Sequence, residues 1–108
     1  MNLSVHVTDG VYGQPATGIS IRLADIPQRT AAKRQGSTDA EGRAIFAFSE
    51  QAFGIVRLEL DTDAYFSTLG VKPVYPNISI VCRLRQQGRN QQVSLIVTPS
   101  TYVVSTET

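Results

Sequence analysis

The chemistry open to this chain rests on few residues. Its one histidine, His6, stands in "LSVHVTDG", where Leu3, Val5 and Val7 alternate with Ser4, His6 and Thr8. Imidazole exchanges a proton near neutral pH, so a well-placed His6 suits general-base work on water or on a substrate proton. Arg43 follows the turn "TDAEG" at once, and a guanidinium there suits a clamp for a carboxylate or a developing oxyanion. Asn90, Gln91 and Gln92 form a late polar cluster, "NQQ". Taken singly, each residue has a blander use: most polar-face strand histidines are solvated or hydrogen-bonded, and most arginines after turns are surface charges.

Other chemistries lack their residues. One histidine and one cysteine cannot build a multi-histidine or thiolate metal site within a subunit, and no Gly-rich phosphate loop or nucleophile elbow is present. No metal or cofactor is expected. Cys82 alternates with Ile78, Ile80 and Leu84 in "NISIVCRL", which makes it a buried structural thiol. Ten Lys and Arg against nine Asp and Glu leave a formal charge of +1, too balanced to reward binding to nucleic acid or an anionic membrane. No apolar run approaches the roughly 20 residues of a membrane helix, and no signal-type leader opens the chain. The expected compartment is the cytoplasm.

The elements that must position these residues are short strands. At 108 residues the chain reads as one domain, 1–108. A period of two recurs in "LSVHVTD", "ISIRLAD", "RAIFAF", "GIVRLELDT", "ISIVCRL", "QQVSLIVT" and "TYVVS". The first two runs read as neighbouring strands, and "RQQGRN" reads as a hairpin turn between "ISIVCRL" and "QQVSLIVT". "IPQRTAAKRQGS" is ambiguous and has room for a weak edge strand. "SEQA" allows one helical turn capped by Ser49. "DAYFSTLG" suits a short helix capped by Thr62 or Asp63 and closed by Gly70. The class is an all-β antiparallel sandwich of seven to eight strands with one short helix. Its edges carry few lysines, so self-association is expected.

The order "LSVHVTDGVYGQPATGISIRL", "TDAEGR", "VRLELDTDAYF", "PVYPNISI" and "QQVSLIVTP" resembles the transthyretin-like family across essentially the whole chain. The enzymes of that family are the 5-hydroxyisourate hydrolases. The resemblance implies a two-sheet sandwich assembled as a homotetramer, a dimer of dimers, with small-molecule sites in a channel between dimers. In the hydrolases four elements meet there: a first-strand histidine, an arginine after the Asp-Gly turn, a histidine before the Val-Pro-Leu-Leu strand, and a Tyr-Arg-Gly-Ser tail. His6 and Arg43 match the first two. Gln92 stands at the third, where it can hydrogen-bond but cannot take up a proton at neutral pH. The tail is replaced by "STET", ending in Thr108.

The resemblance therefore implies an altered enzyme site: His6 as base, Arg43 holding charge, Gln92 and Thr108 orienting a small polar heterocycle. Tyr102 is a reserve substrate contact if "STYVVSTET" realigns by a few residues. Hydrolytic ring opening is the default reaction, with cyclisation, isomerisation or decarboxylation in a biosynthetic pathway the non-hydrolytic options. The alternative is a non-catalytic protein that holds a small ligand in the same channel, as transthyretin does; an accessory subunit docking another enzyme is a third.

Overall fold

The two-residue period of the sequence becomes two facing sheets in the computed structural model, which describes residues 1–26, 34–49, 54–84 and 90–106. The elements are β1 (Asn2–Asp9), β2 (Gln14–Pro15), β3 (Ser20–Ile26), β4 (Arg34–Ser37), β5 (Arg43–Ala47), β6 (Gly54–Asp61), α1 (Thr62–Thr68), β7 (Asn77–Leu84), β8 (Gln91–Val97) and β9 (Tyr102–Thr106). One sheet runs β5, β1, β8, β9, with the two-residue β2 continuing the β5 side of β1; the other runs β4, β3, β6, β7. Every described pairing is antiparallel except β1 with β8, which run parallel.

Alternation decides which residues fill the space between the sheets. Leu3, Val5 and Val7 of β1, Val93, Leu95 and Val97 of β8, and Leu58 and Leu60 of β6 are all fully or almost fully buried. Burying one such side chain contributes about 1.5–3 kcal/mol, so this inward set fixes the register of each strand. Cys82 lies opposite Val56 and packs on the same core, but it is only partly buried rather than buried as expected. Burial pushes its thiol pKa up, which agrees with a structural thiol rather than a reactive thiolate.

Two expectations about neighbours do not hold. The runs that become β1 and β3 are consecutive in the chain but lie in opposite sheets, and "RQQGRN" joins β7 of one sheet to β8 of the other rather than closing a hairpin. A connection that crosses a sandwich is as short and polar as a hairpin loop, so composition does not separate them. The weak edge strand within "IPQRTAAKRQGS" forms as β4 at Arg34–Ser37, while 27–33 and most of "SEQA" lie outside the described residues. The helix forms, but its cap is Asp61, one residue before the expected Thr62 and two before Asp63; the Asp61 carboxylate accepts from Ala64 N at 3.0 Å. Gly70 follows the helix at φ 77°. Among the described residues no helix is long and apolar enough to cross a membrane.

The end of β1 is pinned to α1 by a buried carboxylate. Asp9 Oδ1 accepts from Val11 N at 2.8 Å and its Oδ2 accepts from the Tyr65 hydroxyl at 2.7 Å. Burial first, then the hydrogen bond to Asp9 and its charge, push the Tyr65 pKa up to about 12 from 10.0. A phenol with a raised folded-state pKa contributes stability that is complete below the unfolded value and lost as pH rises through the folded one. Thermal melts are therefore expected to fall more steeply between pH 10 and about 12 for the native chain than for Tyr65→Phe. Parallel profiles would refute the link.

Candidate active site

The face of β1 turned away from the core carries Ser4, His6 and Thr8, all half-buried. Strand pairing then chooses their neighbours. On one flank His6 stands directly opposite Arg43 in β5, and on the other it stands beside Ser94 in β8, which in turn faces Ser105 in β9. Adjacent strands are about 4.8 Å apart, so Arg43, His6, Ser94 and Ser105 form one polar row across four strands. Ser4 is paired with Gln92 in the next row. His6, Arg43 and Gln92, which the sequence singled out separately, thus share one sheet face.

Arg43 owes its place to the turn before it. Asp39 Oδ1 accepts from Glu41 N at 2.9 Å and Arg43 N at 3.0 Å, while Gly42 N donates to Asp39 O at 2.9 Å. Gly42 adopts φ 78°, and its carbonyl accepts from Val7 N at 2.8 Å, tying the turn to β1 one residue past His6. The Asp39 pKa is lowered chiefly by the backbone N–H of Arg43, then that of Glu41, with the Arg43 charge adding. The carboxylate accordingly stays ionised and keeps the turn closed around the start of β5. Arg43 also lines a groove of about 350 Å³ along the β4–β5 side of the sandwich, with Asp39 and Arg34.

Hydrogen-bonding capacity on this face is largely unspent. Among the described residues the His6 imidazole and the Arg43 guanidinium make no hydrogen bond, and Gln92 Nε2 donates to Ser94 Oγ at 3.1 Å. Ser94 was not among the sequence candidates, although strand parity could have found it. It lies two residues after Gln92 in "NQQVSLIV" and so points the same way. Asn90 and Gln91 leave the cluster: Asn90 Oδ1 accepts from Asn2 N, and buried Gln91 Nε2 donates to Arg83 O. Tyr102 is opposite Val97 and so takes the other side of the sheet from His6, where its ring meets Tyr75 edge-on at 5.3 Å. Within this chain it is therefore set apart from the polar row. Thr108 lies outside the described residues.

The fold has known counterparts. The mouse 5-hydroxyisourate hydrolase is 28% identical over 105 residues, covering 93% of this chain and 89% of that protein. A probable 5-hydroxyisourate hydrolase of Schizosaccharomyces pombe is 27% identical over 107 residues, covering 93% and 86%. Among solved structures, the 5-hydroxyisourate hydrolase of Klebsiella pneumoniae superposes over 100% of both chains with a TM-score of 0.83 at 23% identity. Sea bream transthyretin in complex with thyroxine superposes over 97% of this chain and 93% of that one, with a TM-score of 0.85 at 25% identity. The family model HIUase/Transthyretin matches residues 3–105. A sandwich carrying His6 and Arg43 side by side, matched by that profile over nearly its whole length, places the chain in the HIUase/Transthyretin family.

Proposed function

We propose that the protein is a divergent hydroxyisourate-hydrolase-like enzyme that acts on a small polar heterocycle at the outer face of the β5-β1-β8-β9 sheet. The observation that carries this reading is the direct register of His6 with Arg43, which sets a base beside a permanent cation. In the hydrolytic form His6 takes a proton from water, and the resulting hydroxide attacks a ring carbonyl carbon. Arg43 holds the oxyanion that forms; the ring C–N bond then breaks, and the proton on His6 passes to the departing nitrogen. Gln92 helps to orient the substrate, a role Thr108 is proposed to share. The non-hydrolytic variant keeps His6 as the proton carrier and omits the water.

An open sheet face does not exclude water by itself, so the reading includes a homotetramer in which a second dimer covers the row, working in the cytoplasm. Mixing the protein with freshly generated 5-hydroxyisourate is expected to speed the decay of its ultraviolet absorbance. No acceleration at high protein concentration would remove that substrate, and a stable monomer in solution would remove the covered site.

One observation favours a second reading. Ile45, Ile96 and Val103 lie on the same face and are 61%, 51% and 59% exposed, enough apolar surface beside the polar row to hold an aromatic ligand without chemistry. Under that reading ligand affinity is indifferent to His6.

A further inference from the structure

We propose that Ser94 is a substrate-positioning hydroxyl of this site and that Gln92 serves to aim it; the inference rests on the reading of the His6 face as a substrate site. A serine hydroxyl has one proton to give and two lone pairs to receive. Gln92 Nε2 donates to Ser94 Oγ at 3.1 Å, which fills one lone pair, and among the described residues the hydroxyl donates to no acceptor. Its proton is thus left for a ligand. The register puts Ser94 directly beside His6, on the flank opposite Arg43.

The consequence is a symmetrical arrangement of donors about the base. Arg43 and Ser94 stand one strand to either side of His6, about 9–10 Å apart at the backbone, and both side chains rise from the same face. A ring carrying two carbonyl oxygens on either side of a ring nitrogen or carbon meets both donors at once, with its central atom over the imidazole. The resemblance to the hydrolases implies a proline in the Val-Pro-Leu-Leu strand where this chain has Ser94, so the hydroxyl belongs to this chain's own version of the site. Gln92 then acts through Ser94: its amide restricts the hydroxyl rotor, and the lone pair it occupies leaves the proton pointing elsewhere.

The test uses hydantoin, a small neutral ring with two carbonyls flanking an N–H, and the full-length protein. Because His6 is the only histidine, its imidazole C–H signals in a proton NMR spectrum report on this site without competition. Hydantoin is expected to shift those signals saturably in the native protein. Ser94→Ala should weaken binding about five- to tenfold, the effect of one lost hydrogen bond. Ser94→Thr, which keeps the hydroxyl on a strand-compatible side chain, should stay within about twofold of the native protein if that one hydrogen bond is retained. Gln92→Met should weaken binding by about threefold, less than outright loss of the hydroxyl. Saturable binding that is equally tight in Ser94→Ala would overturn the role of Ser94 and leave the site intact. Absence of any hydantoin-dependent shift in the native protein would overturn the reading of the His6 face, and the role of Ser94 with it.

Discussion

Replacing His6 with glutamine is expected to lower kcat by about a hundredfold to ten-thousandfold, the usual worth of a positioned general base. 5-Hydroxyisourate is the first substrate to assay, by its ultraviolet decay. Glutamine nearly matches imidazole in reach and hydrogen-bonding capacity but carries no proton between water and a leaving group at neutral pH. The fold has little stake in the exchange, since His6 makes no hydrogen bond among the described residues and sits on the outward face of β1. The loss should therefore appear in kcat, with melting temperature and KM nearly unmoved. That split separates the two readings of the site: a binding protein would show unchanged ligand affinity and have no kcat to lose. Turnover by His6→Gln within a factor of about three of the native chain would show that His6 is not the base.

The largest expected effect on folding comes from one methyl group. A Cβ built on Gly42 falls 2.4 Å from Val7 O and 3.2 Å from Pro15 Cβ, and the backbone there has φ 78°. Backbone and a proline ring cannot swing aside as a flexible side chain does. Gly42→Ala thus combines a left-handed conformation, costing roughly 1–2 kcal/mol, with overpacking that costs about 1–3 kcal/mol. It also strains the bond from Val7 N to Gly42 O that ties the turn to β1. Urea denaturation should show a loss of about 4 kcal/mol, a large part of the 5–15 kcal/mol that holds an ordinary domain together. If the variant folds, Arg43 should be displaced from His6, so turnover should fall along with stability. A loss below about 1 kcal/mol would mean that the turn relaxes cheaply.

Alternation shows which way His6 points but not what stands next to it. Leu3, Val5 and Val7 must face the core, so His6 faces away, and the same parity in "NQQVSLIV" sends Gln92 and Ser94 outward with it. The neighbours come from pairings between distant segments: β5 lies on one side of β1 and β8 on the other. Parity assigns a face to each strand, whereas adjacency depends on how the strands divide between two sheets. For the same reason β1 with β3, and β7 with β8, look like hairpins although each pair spans both sheets. The resemblance to the hydrolases supplied the missing adjacency for Arg43 and Gln92. It did not point to Ser94, because the Val-Pro-Leu-Leu strand that the resemblance implies has a proline at that place. Tyr102 shows the reverse limit: its register with Val97 turns it to the other side of the sheet, a matter of a single residue in a tail that has no strong alternation.

The parallel ladder between β1 and β8 also sets when this face comes into being. At its start the Asn2 N–H bonds Asn90 Oδ1, partners 88 residues apart. A chain emerging from the ribosome at about 5–20 residues per second holds β1 for several seconds before β8 exists to pair with it. During that wait β1 can pair with β5, so His6 gains Arg43 early and Ser94 and Gln92 late. Closing so long a loop is slow, as is usual for sheets of high contact order. An interrupted chain would thus present a half-built row and an unpaired β1 edge, and full binding capacity would report that synthesis and folding are both complete.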